Sequence, residues 1–187
     1  MLLKDWPPQN TQTKTDPLIN LVSFPATLGA EQWADLFAAV ASGEGAVIGA
    51  FYPEDIEAIR EFNRRGIKLE LQPGIGSWMG CSHWIPDSDL FSGLPAGGLA
   101  KKPYAEFIPK YVFSEMGGEV LAGSLRNTQS RQEAPSMLWY SDIEAVRLGK
   151  GLILLCQYRI FGCLDRDPLA ARLAYNAFQF VNQSLQN

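Results

Sequence analysis

The chain has 187 residues, 47% hydrophobic and 19% charged, the size and mix of one globular domain with a sizeable core. Sixteen Lys and Arg against twenty Asp and Glu leave a net charge of −4, which argues against a phosphate-backbone binder and so against a nucleic-acid partner. A single His and three Cys (Cys81, Cys156 and Cys163), with no CxxC or zinc-ligand spacing, predict no metal site and no cofactor.

Residues 1–17 are polar, contain three prolines and show no periodicity, so they read as an irregular lead-in to a domain over 18–187. The segment Met1–Pro8 lacks the apolar stretch of a secretory signal, which predicts a cytoplasmic protein with reduced, buried thiols. No apolar run approaches the ~20 residues of a membrane helix, so no membrane partner is expected.

Leu18–Phe24 reads as a strand ended by Pro25. Trp33, Leu36, Phe37 and Val40 fall at i, i+3, i+4 and i+7 and predict an amphipathic helix stopped by Gly43-Glu44-Gly45. Ala46–Phe51 reads as a buried strand. Pro53 suits the first turn of a second helix, with Ile56, Ile59 and Phe62 as its core face and Gly66 as its stop. Ile67–Leu71 is the next expected strand, and three strands separated by two helices predict parallel βαβ units.

From Gln72 to Lys102 the chain is rich in glycine and proline and predicts a long loop packed by Trp78, Trp84 and Phe91. Tyr111–Phe113, Val120–Ala122, Met137–Tyr140 and Ile143–Leu148 read as short strands. Leu152–Tyr158 is a continuous apolar run, as in a strand covered on both faces. Asp167 and Pro168 mark the start of a closing helix with Leu169, Leu173, Ala177 and Phe180/Val181 as its buried stripe.

Three constellations could carry chemistry. Cys81 and His83 suggest a thiol nucleophile with its base, on a small amide or ester. Met79-Gly80-Cys81-Ser82-His83 departs from a nucleophile elbow, however, because the following glycine and helix are missing. The alternative is a small buried thiol beside a loop histidine that bonds to backbone. The glycines of Gly74–Gly80 are spaced G-x-G-x-x-x-G, with no helix start to hold a phosphate, and read as a turn-rich loop. Asp87, Asp89, Glu106, Glu115 and Glu119 offer carboxylates for glycoside hydrolysis, but no spacing selects two, and the chain is too short for a (β/α)8 barrel. Trp78, Trp84 and Phe91 could alternatively stack on sugar rings.

Five blocks in order resemble a known domain. They are Ala26–Phe37 (ATLGAEQWADLF), Leu90–Leu99 (LFSGLPAGGL), Tyr104–Phe113 (YAEFIPKYVF), Val146–Gln157 (VRLGKGLILLCQ) and Asp167–Leu173 (DPLAARL). Together they are similar to the class I glutamine amidotransferase-like domains attached to bacterial glycoside hydrolases of family 2, the β-galactosidase and β-glucuronidase type. The resemblance implies a flavodoxin-like three-layer α/β sandwich with a mostly parallel sheet, shortened at its N-terminus. Glutaminases of that superfamily use a Cys followed late in the chain by His and Glu. Here no histidine follows His83, so the resemblance implies a non-catalytic accessory or oligomerisation domain. Its expected partners are a glycoside hydrolase catalytic domain or a second copy, with carbohydrate as a further ligand.

Overall fold

The computed structural model describes residues 17–74, 81–100, 102–114, 116–128 and 136–187, with the side chains of Cys81, Asn127, Thr128, Ser136 and Met137 excepted. The lead-in over 1–16, Trp78 with the rest of 75–80, and Glu115 lie outside the described residues. In chain order the elements are β1 (Ile19–Val22), α1 (Ala30–Ser42), β2 (Gly45–Ile48), α2 (Ile56–Arg64), β3 (Leu71–Pro73) and β4 (Cys81–Ile85). They continue with β5 (Gly98–Leu99), β6 (Tyr111–Phe113), β7 (Glu119–Thr128), β8 (Ser136–Leu148), β9 (Gly151–Cys156) and α3 (Pro168–Gln186).

The result is a mixed α/β fold. One sheet runs β1-β2-β9-β8-β7-β4-β5, with β6 joined to β8 and β3 joined to β6. The expected parallel sheet is present only at one side, where β1 pairs with β2 and β2 with β9. Everything beyond β9 is antiparallel. The predicted third strand of the βαβ run does not join this group. Ile67 and Leu69 are buried in an extended segment, and the strand begins only at Leu71, antiparallel to β6.

All six residues of β9 are buried, which explains their unbroken hydrophobicity. Strand alternation divides them between two cores. Leu152, Leu154 and Cys156 pack with Val47 of β2 and with Ala170, Leu173, Ala177 and Val181 of α3. Ile153 and Leu155 pack with Ala46 and Ile48 of β2 and with Trp33, Phe37 and Val40 of α1. Phe62 of α2 completes this second core through edge-on aromatic contacts, with ring centroids 4.8 Å from Phe37 and 5.6 Å from Phe51. The helices therefore form layers on both faces of the β1-β2-β9 side.

Local signals place α1 and α3 as expected. Gln32 Oε1 accepts the Gly29 N–H at 2.9 Å before α1, and Gly43 ends the helix at φ 129°, a conformation suited to glycine. Asp167 Oδ1 accepts from the N–H groups of Leu169 (2.9 Å) and Ala170 (3.3 Å), with Pro168 at the first position of α3. The second helix differs. Asp55 spends its carboxylate on the Tyr52 N–H at 2.6 Å, so Pro53 and Glu54 stay in a turn and α2 starts at Ile56. Ile56 is consequently 57% exposed rather than a core residue, and Ala58 and Phe62 face inward.

The long loop expected over Gln72–Lys102 contains two strands, β4 and β5, and a 3-10 turn over Asp89–Phe91. Likewise Met137–Tyr140 and Ile143–Leu148 belong to one strand, β8, whose Ser141 and Asp142 bridge the two runs.

Candidate functional site

The sheet brings the single histidine to a buried carboxylate that lies 59 positions away. On β4, Ser82 and Trp84 are exposed while His83 and Ile85 are buried, the alternation of a strand with one covered face. His83 lies opposite Ser124 of β7. Between β7 and β8 the register shifts: Ala122 faces Ile143 and Gly123 faces Ser141, so Asp142 has no cross-strand partner. Such a bulge re-aims the extra side chain. Asp142 Oδ2 lies 2.8 Å from His83 Nδ1, and both residues are almost wholly buried, at 0% and 2% exposure. A carboxylate can only accept, so Nδ1 carries the proton of this bond.

One aromatic ring packs beside His83 and joins it to a cluster. The Tyr158 ring lies 6.4 Å from His83 and 6.2 Å from both Tyr104 and Phe107, and the Tyr104 hydroxyl donates to Pro95 O at 2.6 Å. Burial pushes the Tyr158 phenol well above its ordinary range, and the Asp142 charge adds to the shift. Burial likewise raises Tyr104 to about 12. The Cys156 thiol is pushed up to about 12, again chiefly by burial, despite its contact with Tyr158 O. Tyr158, Tyr104 and Cys156 therefore hold their protons at neutral pH. Ser124 Oγ, Asp142 Oδ1 and Tyr158 OH are buried without hydrogen-bond partners among the described residues.

The arrangement places one predicted residue differently from the expectation and leaves another incomplete. His83 is on strand β4, not in a loop, and its partner is a side chain rather than backbone. Cys81 opens the same strand, opposite Arg126. Its side chain lies outside the described residues. A strand-to-helix elbow is absent here, because β4 is followed by the 3-10 turn Asp89–Phe91 and then by β5. Of the candidate carboxylates, Asp89 opens the 3-10 turn and Glu119 opens β7, whereas Asp87 and Glu106 lie outside helices and strands. No group of His, Cys, Asp and Glu able to hold a metal occurs among the described residues.

The aromatic candidates separate in the same way. Phe91 is a core residue under α3, packed with Leu90, Leu94 and Leu173, and offers no ring to a ligand. Trp84 is 48% exposed on the opposite face of β4. Trp139 of β8 is 71% exposed and had no place among the sequence candidates. Register puts both indoles on one face. Trp84, Gly123 and Ser141 form one row across three strands, and Ser82, Leu125 and Trp139 form the next. The indication in the sequence was the pairing of Leu138 with Trp139, since two consecutive apolar residues on one strand cannot both enter one core.

No family model matches the chain, and no curated protein matches it. Among solved structures it is similar to the exo-beta-1,4-mannosidase Op5Man5 from Opitutaceae bacterium strain TAV5, with a TM-score of 0.47 and 11% identity. The alignment covers 88% of this chain and 25% of that one, so the chain spans about a quarter of the mannosidase's length. No helix among the described residues is long and apolar enough to cross a membrane.

The raised thiol sets an alkaline limit on stability. An unfolded chain ionises Cys156 near 9.0 whereas the folded chain holds the proton to about 12. The stabilising difference is thus intact below about pH 9 and is lost as pH rises towards 12. Thermal midpoints measured across that range should fall, and Cys156→Ala should flatten the early part of the fall. An equal fall in both proteins would contradict the assignment.

Proposed function

We propose that this chain is a non-catalytic, amidotransferase-like accessory module of carbohydrate-hydrolysing machinery, with the flavodoxin-like sandwich over 18–187 serving as a scaffold. The observation that carries the reading is the sealing of His83. A thiol hydrolase needs its imidazole at the nucleophile and open to water for the hydrolytic half of the reaction. Here the imidazole is buried, at 2% exposure, with Asp142 on Nδ1 and the Tyr158 ring 6.4 Å from its own. The five sequence blocks supply the glycoside hydrolase setting, and the exposed Trp84 and Trp139 are the face on which such a module would meet carbohydrate.

An oligomerisation role finds support at the other side of the sheet. Among the described residues β1 pairs only with β2, which leaves its outer edge open. Leu18, Leu21 and Phe24 are exposed along this edge and just beyond it. A short apolar edge strand is a template for pairing with a second chain. The proposed association joins two copies through β1.

Two measurements test the reading. The purified chain should release no ammonia from glutamine and hydrolyse no simple amide or ester above the buffer rate. Turnover abolished by Cys81→Ala would overturn the non-catalytic assignment. Light scattering over a concentration series should show a dimer or higher species that Leu21→Lys converts to monomer, and a monomer at every concentration would remove the oligomerisation role.

A further inference from the structure

Away from His83, a cleft opens at the carboxyl ends of the three parallel strands. It has a volume of about 130 Å³. Its walls are the residues that follow each strand: Ser23 and Phe24 after β1, Tyr52 after β2, and Arg159, Cys163 and Arg166 after β9. The position has a topological reason. The chain leaving β2 enters α2, which packs on the α1 face, whereas the chain leaving β9 enters α3 on the opposite face. The two connections diverge and leave a crevice between them, which is where open α/β sheets bind ligands. Gly49 keeps the floor tight, since a Cβ there would stand 2.4 Å from Ser23 O and 2.9 Å from the Phe161 ring.

The cleft is lined by cations whose geometry is partly fixed. Arg159 Nε donates to Ile108 O at 3.0 Å and Nη2 donates to Glu106 O at 3.0 Å. These bonds lock the guanidinium plane and leave its Nη1 hydrogens uncommitted among the described residues. Arg166 is exposed, and its Nη2 donates to Cys163 Sγ at 3.4 Å. Tyr52 lines the same cleft and interacts electrostatically with Arg159. Partial burial raises its phenol pKa while the Arg159 charge opposes the shift, so the hydroxyl is a donor at neutral pH. Two carboxylates, Asp165 and Glu106, interact with Arg166 electrostatically. Asp55 is occupied with the Tyr52 backbone N–H. A free Nη1 edge, a second guanidinium and a phenol converging on one small cleft match an oxyanion, which guanidinium groups bind in bidentate fashion. The volume is ample for one such group.

We propose that this cleft binds a small oxyanion, the carboxylate or phosphate group of a small molecule, between Arg159 and Arg166 with Tyr52 as third donor. The inference is independent of the accessory-module reading, because it concerns binding alone.

Sodium phosphate, sodium acetate and sodium glucuronate, each titrated at constant ionic strength against sodium chloride, test it on the intact chain. The expected result is a saturable rise in thermal midpoint with at least one of the three, beyond that given by chloride. Arg166→Gln, an exposed position whose substitution leaves the core intact, should weaken the apparent affinity at least tenfold. Arg159→Lys, which keeps charge but loses the fork, should weaken it as well. Strongest binding of phosphate assigns the source as a phosphate ester, and strongest binding of acetate or glucuronate assigns a carboxylate. No saturable effect beyond chloride, or unchanged affinity in Arg166→Gln, would overturn the proposal.

Discussion

The burial of β9 on both faces is the constraint on which the rest of the structure depends. Its six residues leave no polar side chain for solvent, so a layer must cover each side. α3 covers one side, and α1 with α2 covers the other. β2 and β8 flank the strand and share its two cores through Val47, Ala46, Ala145 and Val146. The residue immediately after it, Gln157, ties the ends together. Its N–H donates to Asp142 O and its Oε1 accepts the Phe51 N–H, both at 2.8 Å. The strand therefore positions both the carboxyl-end cleft and the backbone of the residue that holds His83.

Away from β9 the covering layers change character. The α3 side is extended by irregular chain rather than by another helix. Leu90, Phe91, Leu94, Tyr104 and Phe107 come from 3-10 turns and loops and close the covered face of β4 and β7. The α1–α2 layer ends near β8, which leaves Trp84 and Trp139 on an open face. His83 faces the covered side. A lone imidazole there would lack solvent and partner, and Asp142, re-aimed by the bulge, meets that need. Removing one partner of such a buried pair generally costs about 3–5 kcal/mol. The pair is thus a structural commitment, and the Tyr158 and Cys156 beside it hold their protons through burial.

Elements whose signals are local were legible in the sequence. The 3.6-residue spacing of Trp33, Leu36, Phe37 and Val40 and the Asp167-Pro168 cap each act within a few positions, and α1 and α3 appear where those signals lie. Features set by distant contacts were not. β4 reads as Cys-Ser-His-Trp-Ile, and its inward histidine becomes tolerable only through Asp142, far along the chain. The exposures of Phe91 and Trp139 depend on which faces the 3-10 turns and helices cover, information that hydrophobicity alone does not carry. The cleft between Arg159 and Arg166 arises from the divergence of two chain connections and has no motif of its own.

The most direct measurement uses the fact that the chain has one histidine, so its imidazole signals need no assignment. Nitrogen-15 NMR of the native protein should show a single Nδ1–H proton that exchanges slowly with water and disappears in Asp142→Ala. A histidine N–H that exchanges as fast as in the unfolded chain would contradict the sealed pair and, with it, the observation on which the proposed scaffold role rests.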